Sequence, residues 1–468
     1  RCPREEACVG GLEVCNPKYT GYMCRECVAG YYSDSDKRCR KCPSQAYVPL
    51  VMFFMLLVAI AFGVVGLTAY AHVQFDSDED VRKSQRQRKI PHSFTLAIVF
   101  FQILGMVGNQ QFNWPSSVSR TLAATNVVNL DVNIFASECS LVSFDGKYLV
   151  SILYPLMFMG AVCVALVLFK LLRASLPWCT QTFPDLPLVQ LLERIVFLMG
   201  SLLYIPLSRS SLLLFDCVKL PDGKFYLDAD LGRRCYDSAW FTLMPWGMLA
   251  VLVYIVAVPV YFGFTLFRHR HELFQPAVLA RYGSIYRLYR VRFYYFELVQ
   301  LFKRLVVVFC SLFVSNHQTW LVALLLAVFL TSAFAQLRYE PYYHPIYNTL
   351  EIQLNVIISV VVMLGFVFYA DLFKRAWSRQ AFIGLTLAVI FGSLVLVIAT
   401  MVVEIRSILK QVTGQAQFIH DVRVQRFWRV VEHEAPDWSD PSLRHQLMEV
   451  KSHFIADEQA SKAEFERR

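Results

Sequence analysis

From residue 46 onward the chain is a series of long apolar runs joined by short polar links. Nine stretches have the length and apolar character of a membrane span, at roughly 47–73, 94–111, 148–169, 190–215, 240–266, 294–315, 319–337, 349–370 and 381–403; a spanning helix needs about 20 such residues. No Asp, Glu, Lys or Arg occurs between Lys41 and Asp76, between Asp237 and Arg268, between Arg304 and Arg338, or between Arg379 and Glu404. In hydrocarbon every backbone amide must be satisfied within the protein, which leaves helices or closed barrels, and the absence of strict alternation selects helices. Pro155, Pro206 and Pro259 fall in the third, fourth and fifth runs and predict kinks that neighbouring helices absorb.

This pattern predicts an all-α polytopic membrane protein with about nine transmembrane helices over residues 46–404, preceded by a small disulfide-rich module over 1–45 and followed by a polar helical tail over 405–468. Within the tail, IHDVRVQRFWRVVEH is amphipathic and Ala435-Pro436 marks a break. Composition adds weight: 56% of residues are hydrophobic, 17% are charged and mean hydropathy is +0.43, where soluble domains carry about a quarter charged residues. The chain begins at Arg1 with no initiator Met or signal peptide, which reads as a processed protein or the membrane end of a longer one.

Nine crossings put the two ends on opposite sides. With the N-terminus outside, the inner loops hold 14 Lys or Arg and the outer loops 9. Positive charge favours the cytoplasm, and the loop DEDVRKSQRQRK after the first run casts the strongest vote. The expected placement is a plasma membrane, ciliary or flagellar surface included, with the head outside and the tail in the cytosol. The net charge of +9 therefore sets topology, and no nucleic-acid partner is expected.

An exterior head explains its cysteines. Cys2, Cys8, Cys15, Cys24, Cys27, Cys39 and Cys42 form an odd set, and Cys139, Cys217 and Cys235 in predicted outer loops bring the total to an even ten. Disulfides are expected among them, with connectivity open. The spacing Cys-x2-Cys-x11-Cys-x2-Cys also suits zinc, but zinc would require the opposite topology, so no metal is expected. The pattern Gly-Tyr-x-Cys-x-x-Cys-x-x-Gly-Tyr…Cys-x-x-Cys-Pro over residues 21–43 resembles the laminin-type EGF and ephrin-receptor-like repeats of extracellular proteins.

Two outer loops carry separate expectations. NWPSSVSRTLAATNVVNLDVNIFASEC is long and polar, with Arg120, Asp131 and Glu138 its charges, and either re-enters the membrane or lies on it. DCVKLPDGKFYLDADLGRRC predicts a cap closed by Cys217 and Cys235 with a turn at Pro221-Asp222-Gly223. Its Asp216, Asp222, Asp228 and Asp230 read either as a solvated loop or as a collector of cations such as calcium, without a full calcium-loop spacing.

Ionisable residues inside spans are costly and are functional candidates. In the sixth run, Glu297, Gln300 and Arg304 share one helical face, with Lys303 and Arg304 near mid-depth; Asn348, Glu351 and Asn355 repeat the spacing in the eighth. Facing stripes would line a polar pathway for cations. The plainer reading is interhelical glue, with Arg304 paired to Glu351 or Glu297. In FRHRHELFQPAVLARYGSIYRLYRVR, Arg268, Arg270, Arg281, Arg287, Arg290 and Arg292 alternate with aromatic residues, which suits contact with anionic lipid headgroups. No Walker loop, dinucleotide turn, HExxH or Gly-x-Ser-x-Gly occurs, so neither an enzyme nor a cofactor is expected.

The run from Trp114-Pro115 through NLDV…Cys139, Cys217…Tyr226-Leu227-x-x-Asp230…Cys235, Tyr282-Gly283…Tyr289…Glu297…Lys303-Arg304 and Pro341…Asn348-x-Leu350-Glu351 resembles a protist and algal family of multispan proteins. That family is similar to transient-receptor-potential and polycystin-like channels, the fungal group with about nine helices included. The resemblance covers residues 110–370 and implies cation conduction or sensing. Between the last helices, where a filter would stand, the chain has the basic link ADLFKRAWSRQ, with Lys374, Arg375 and Arg379. The expected function is channel-like. A non-conducting anchor of a large extracellular filament or adhesive assembly comes second, and scramblase-like lipid transport third. Expected partners are membrane lipids, cations, and extracellular assembly partners or a channel subunit.

Overall fold

The computed structural model describes residue 7, residues 14–21, parts of 24–45, and residues 47–73, 92–129, 139, 144–175, 188–273, 275–373 and 375–412. The expectations for Cys2 and Cys8, the loop DEDVRKSQRQRK, Asp131, Glu138, Lys374 and the tail beyond residue 412 fall outside these residues.

At the N-terminal end are two small antiparallel ribbons, β1 (Tyr19–Thr20) with β2 (Glu26–Cys27) and β3 (Tyr31–Ser33) with β4 (Cys39–Lys41). So short a segment has little core of its own, and disulfides hold it: Cys15–Cys24 and Cys27–Cys39 close it internally. Cys42 bonds instead to Cys139, 97 residues away. One cysteine of the head thus finds its partner just before the third apolar run.

Thirteen helices follow among the described residues. They are α1 (Val48–Val73), α2 (His92–Gly108), α3 (Ser116–Thr125), α4 (Phe144–Ser175), α5 (Leu188–Leu202), α6 (Tyr204–Leu212), α7 (Ser238–Ala250), α8 (Val258–Arg268), α9 (Pro276–Tyr286), α10 (Phe296–Phe313), α11 (Gln318–Tyr339), α12 (Pro345–Tyr369) and α13 (Ala376–Val412). A π-helical stretch, Val251–Ala257, joins α7 to α8 into one rod. Five helices are long and apolar enough to cross a membrane: α4, the α7–α8 rod, α11, α12 and α13. A sixth is the pair α5–α6, bent by 63°. α1 is 26 residues long and carries no charge, α2 is apolar but only 17 residues long, and α10 carries Glu297, Lys303 and Arg304 within 18 residues. Among the described residues, five or six spans are thus shown by length and composition, and the nine that the hydropathy pattern predicts are not.

The loop expected to re-enter or lie on the membrane begins as α3, whose Val118 and Leu122 are buried against α2. Two glycines allow the approach. A Cβ on Gly108 would sit 2.6 Å from Leu122 Cβ, and one on Gly105 would sit 2.5 Å from Asn126 Oδ1. Asn126 then exchanges hydrogen bonds with Asn109 and accepts from Asn129 Nδ2 at 3.2 Å, while that same nitrogen donates to the Gln102 carbonyl.

The outer cap forms as the spacing predicts. β5 (Cys217–Lys219), β6 (Phe225–Leu227) and β7 (Asp230–Arg234) make a three-stranded antiparallel sheet closed by Cys217–Cys235. Gly223, at φ +81°, turns the first hairpin, and Asp222 accepts from Lys224 N and the Tyr226 hydroxyl. Arg233 pairs with Asp145 at the start of α4, so the cap lies at the same end of the bundle as the Cys42–Cys139 bond.

The buried apolar residues form three main clusters. One gathers α2, α3, α10, α11, α12 and α13; a second gathers α1, α4, α5 and α7 with the cap; a third gathers α8, α9 and the start of α10. The broken pair α5–α6 joins them, giving Ile205 to the first, Leu191, Ile195 and Leu207 to the second, and Phe197 and Tyr204 to the third.

Candidate functional site

Proline sets the local geometry of the break. Leu202 ends α5, and the residue four further on, whose N–H would bond its carbonyl, is Pro206, which has no N–H. The freed carbonyl is served from another helix: Gln102 Nε2 of α2 donates to Leu202 O at 3.0 Å. The same arrangement recurs at Pro259, where the Ile255 carbonyl takes the Tyr204 hydroxyl at 3.2 Å. The helix bends only at the break before Pro206, and at both prolines a donor from a neighbouring helix serves the carbonyl left without its N–H.

The carbonyl one residue earlier, Ser201 O, also lies at the break. It accepts from Arg304 of α10 at 2.7 Å, and the same guanidinium nitrogen reaches Ser201 Oγ at 3.1 Å. Helix C-termini carry partial negative charge and stabilise cations, so the end of α5 is a natural seat for a guanidinium. Ser201 Oγ donates in turn to Glu297 at 2.5 Å, Tyr289 OH donates to the other carboxylate oxygen at 2.7 Å, and Arg304 stands 3.7 Å from Glu297. Glu297 lies in the first turn of α10, where the helix dipole favours a carboxylate.

A second cluster lies beside it. Glu351 of α12 accepts from Gln300 Nε2 at 2.6 Å and from Lys303 Nζ at 2.8 Å. Lys303 also reaches Ser332 of α11 at 3.4 Å, as does Asn355 Nδ2. The stripes of α10 and α12 therefore do meet, through Gln300, Lys303 and Glu351. Of the two pairings expected for Arg304, Glu297 is the one formed; Glu351 goes to Lys303. Asn348 stands apart and clasps the backbone of Tyr342, donating to its carbonyl at 2.8 Å and accepting from its N–H at 3.0 Å. All six candidate pathway residues, Glu297, Gln300, Arg304, Asn348, Glu351 and Asn355, are buried.

Three members of this centre escape a helix-face reading. Ser201 matters through its backbone carbonyl, and Tyr289 lies outside the apolar runs. Lys303 sits off the stripe and reaches Glu351 only because its stem is long and flexible. Pro206 was the available sign that carbonyls near Ser201 and Leu202 would seek outside donors. Gln336 of α11 is fully buried, and neither carboxamide atom has a hydrogen-bond partner.

At the opposite end of the bundle from the disulfides, Glu404 of α13 accepts from His92 N at 3.0 Å, Ser93 N at 3.2 Å and Ser93 Oγ at 2.5 Å, and from the Tyr347 hydroxyl. A side chain remote in sequence thus caps the N-terminus of α2.

The arginines expected at headgroups divide. Arg281 is paired with Glu193 of α5 and Arg290 with Glu340, and α9 buries Val278, Tyr282 and Ile285. Arg270 lies over the Phe267 ring and Arg292 beside Phe293; Arg268 sits in the last turn of α8, and Arg287 follows the end of α9. In the cap, Asp216 is 5% exposed, and burial with Asp228 nearby pushes its carboxyl up to about 7, against the pull of Arg209. Asp230 accepts from Gly232 N at 3.1 Å. The four cap aspartates do not converge, and no cluster of metal-ligating side chains occurs among the described residues.

Comparison with known proteins gives two likenesses. Residues 1–42 match a domain family of unknown function, DUF7630. The chain is 20% identical over 402 residues to cysteine repeat modular protein A of Toxoplasma gondii, an alignment that takes in 70% of this chain and 13% of that protein. The chain thus spans a small part of that relative's length. No solved structure matches.

Proposed function

We propose that this chain is the membrane-embedded module of a larger cell-surface protein, and that it holds a cysteine-rich exterior region to the bilayer. In this reading α1, α2 and α10 cross along with the six spans above, giving nine crossings, with the disulfide-bonded end outside and the Glu404 end in the cytosol. The carrying observation is the Cys42–Cys139 bond. It bypasses α1 and ties the head to the segment entering α4, so a load on the head is shared by two helices rather than one. The name of the relative, a cysteine repeat protein of which the aligned part is 13%, supports the same reading.

The test is a protease site inserted between residues 43 and 47 of the full chain on intact cells. Cleavage should release the head only after reduction, whereas Cys139→Ser should let it go without reductant. Release from the unaltered chain before reduction would refute the anchor.

A second reading, channel-like cation movement, rests on the broken helix. Carbonyls exposed at helix breaks are a recurring way to hold cations at mid-depth in transport proteins, and here Arg304 occupies such an end. Gln336, buried without a partner beside the Ser332 turn, adds polar capacity that the fold does not use. The order the sequence suggests is reversed because Glu297, Arg304, Lys303 and Glu351 are all engaged with one another or with Ser201. Flux through liposomes carrying the chain, lost in both Arg304→Ala and Glu351→Ala, would restore conduction to first place; no flux from the unaltered chain would remove it.

A further inference from the structure

α12 is buried on the side that packs against α2, α11 and α13, where Leu350, Leu354, Ile358, Val361 and Val362 join the first core cluster. Between Ile346 and Val367 its exposed residues are Thr349, Gln353, Val356, Val360 and Met363, at alternating steps of four and three. Half-buried Ile346 and Val367 continue the same steps at either end. One straight seam of heptad spacing thus runs along a helix long and apolar enough to cross a membrane. Its composition differs from that of other outward faces. α10 and α11 expose Phe302, Phe309, Trp320 and Phe334, whereas the α12 seam carries no aromatic ring that would hold a second helix away.

Gln353 is out of place on such a face. It sits about 12 Å along a helix about 37 Å long, inside a hydrocarbon core of about 30 Å. Thr349 on the seam and Thr331 on α11 spend their hydroxyls on carbonyls four residues back. The Gln353 carboxamide makes no hydrogen bond to a described residue. An amide turned toward lipid without a partner is costly, and a carboxamide, with N–H donors and a carbonyl acceptor, is its own complement. Two copies of the chain share one orientation in the membrane, so a two-fold axis along the membrane normal brings each seam residue to its own counterpart. We propose that α12 is a self-association face: two copies meet in parallel along this seam, the two Gln353 carboxamides exchange hydrogen bonds across the axis, and Val356, Val360 and Met363 pack beyond them. The inference needs only that α12 crosses the membrane, and it is independent of the anchor reading.

The test is disulfide cross-linking of the full chain in native membranes, with Cys163→Ser removing the one exposed free thiol among the described residues. Under mild oxidation Val356→Cys and Val360→Cys should each give a cross-linked dimer, whereas Phe302→Cys, on the exposed face of α10, should not. In vesicles, energy transfer between donor-labelled and acceptor-labelled copies should fall on dilution with lipid along a dimer–monomer curve. Gln353→Leu should raise the dissociation constant about 3- to 30-fold, the range of an interhelical hydrogen bond in a bilayer, and Gln353→Asn, which keeps the amide, should raise it less. If the Gln353 variants do not fold, cross-linking at Val356→Cys and Val360→Cys decides. Cross-links as strong at Phe302→Cys as at Val356→Cys, monomers at every dilution, association unchanged in a folded Gln353→Leu chain, or Val356→Cys captured by a different protein in place of a second copy would each overturn the proposal.

Discussion

Arg304 donates to the Ser201 carbonyl at 2.7 Å, joining the middle of one helix to the broken end of another. The contact places a permanent positive charge against the negative end of α5 and beside the Glu297 carboxylate. Each group answers a cost set by another: the break frees a carbonyl, the guanidinium needs acceptors, and the carboxylate needs a counter-charge.

Removing the guanidinium should therefore be severe. Arg304→Met leaves Glu297 buried beside a vacated pocket, and breaking a buried pair in this way costs about 3–5 kcal/mol. Adding Glu297→Gln to it should recover part of the loss, so the double change costs less than the sum. Unfolding in mixed micelles, with the four-protein cycle completed, measures both.

The proline break makes its own prediction. Gln102→Leu leaves Leu202 O without its donor and should cost about 1–3 kcal/mol. In a Pro206→Ala background position 206 regains an N–H, the helix can bond itself, and the same Gln102 change should cost much less. Equal costs in both backgrounds would show that the amide serves something other than the break.

Asp216 gives the outer cap a pH dependence. Its folded value near 7 lies above the ordinary 3.8, so the native state holds the proton more tightly than the unfolded chain. The stabilisation is complete below the unfolded value and is lost as pH rises through about 7. The thermal midpoint should fall between pH 5 and pH 8 in the unaltered chain and fall less in Asp216→Asn. A parallel decline in the two proteins would rule out Asp216 as the source.

Glu404 should govern the start of α2. It accepts from the N–H groups of His92 and Ser93 and from the Ser93 and Tyr347 hydroxyls, so Glu404→Ala strips four donors of their partner and should cost at least about 1–2 kcal/mol, the range of lost helix caps. Hydrogen exchange should speed up at residues 92–96 and stay unchanged in the cap around Cys217. Glu404→Gln keeps an acceptor and should fall between the two.

Much of this architecture is legible in order along the chain. Runs without charge, such as that between Asp237 and Arg268, leave the backbone no partner but itself, and helices follow. The cap was legible for a similar reason, since Cys217, Pro221-Asp222-Gly223 and Cys235 lie within one short three-stranded meander whose geometry is local. The polar faces of α10 and α12 were visible too, because helical periodicity places Glu297, Gln300 and Arg304 on one side.

What the sequence could not decide is which of these groups meet. Cys42 had several partners open to it, and only the approach of the head to the entry of α4 selects Cys139. Arg304 could have taken Glu351, but the break near Pro206 turns a carbonyl toward it, and Lys303 takes Glu351 instead. Glu404 reads as the end of an apolar run until the bundle brings the N-terminus of α2 to it. The sequence alone determined that the long uncharged runs form helices, because such runs leave the backbone little to bond with but itself; it did not foresee α3 or the break between α5 and α6. Only the tertiary structure decided how the leftover donors, acceptors and charges pair, because those partners are chosen by distance in space, and helix packing sets that distance.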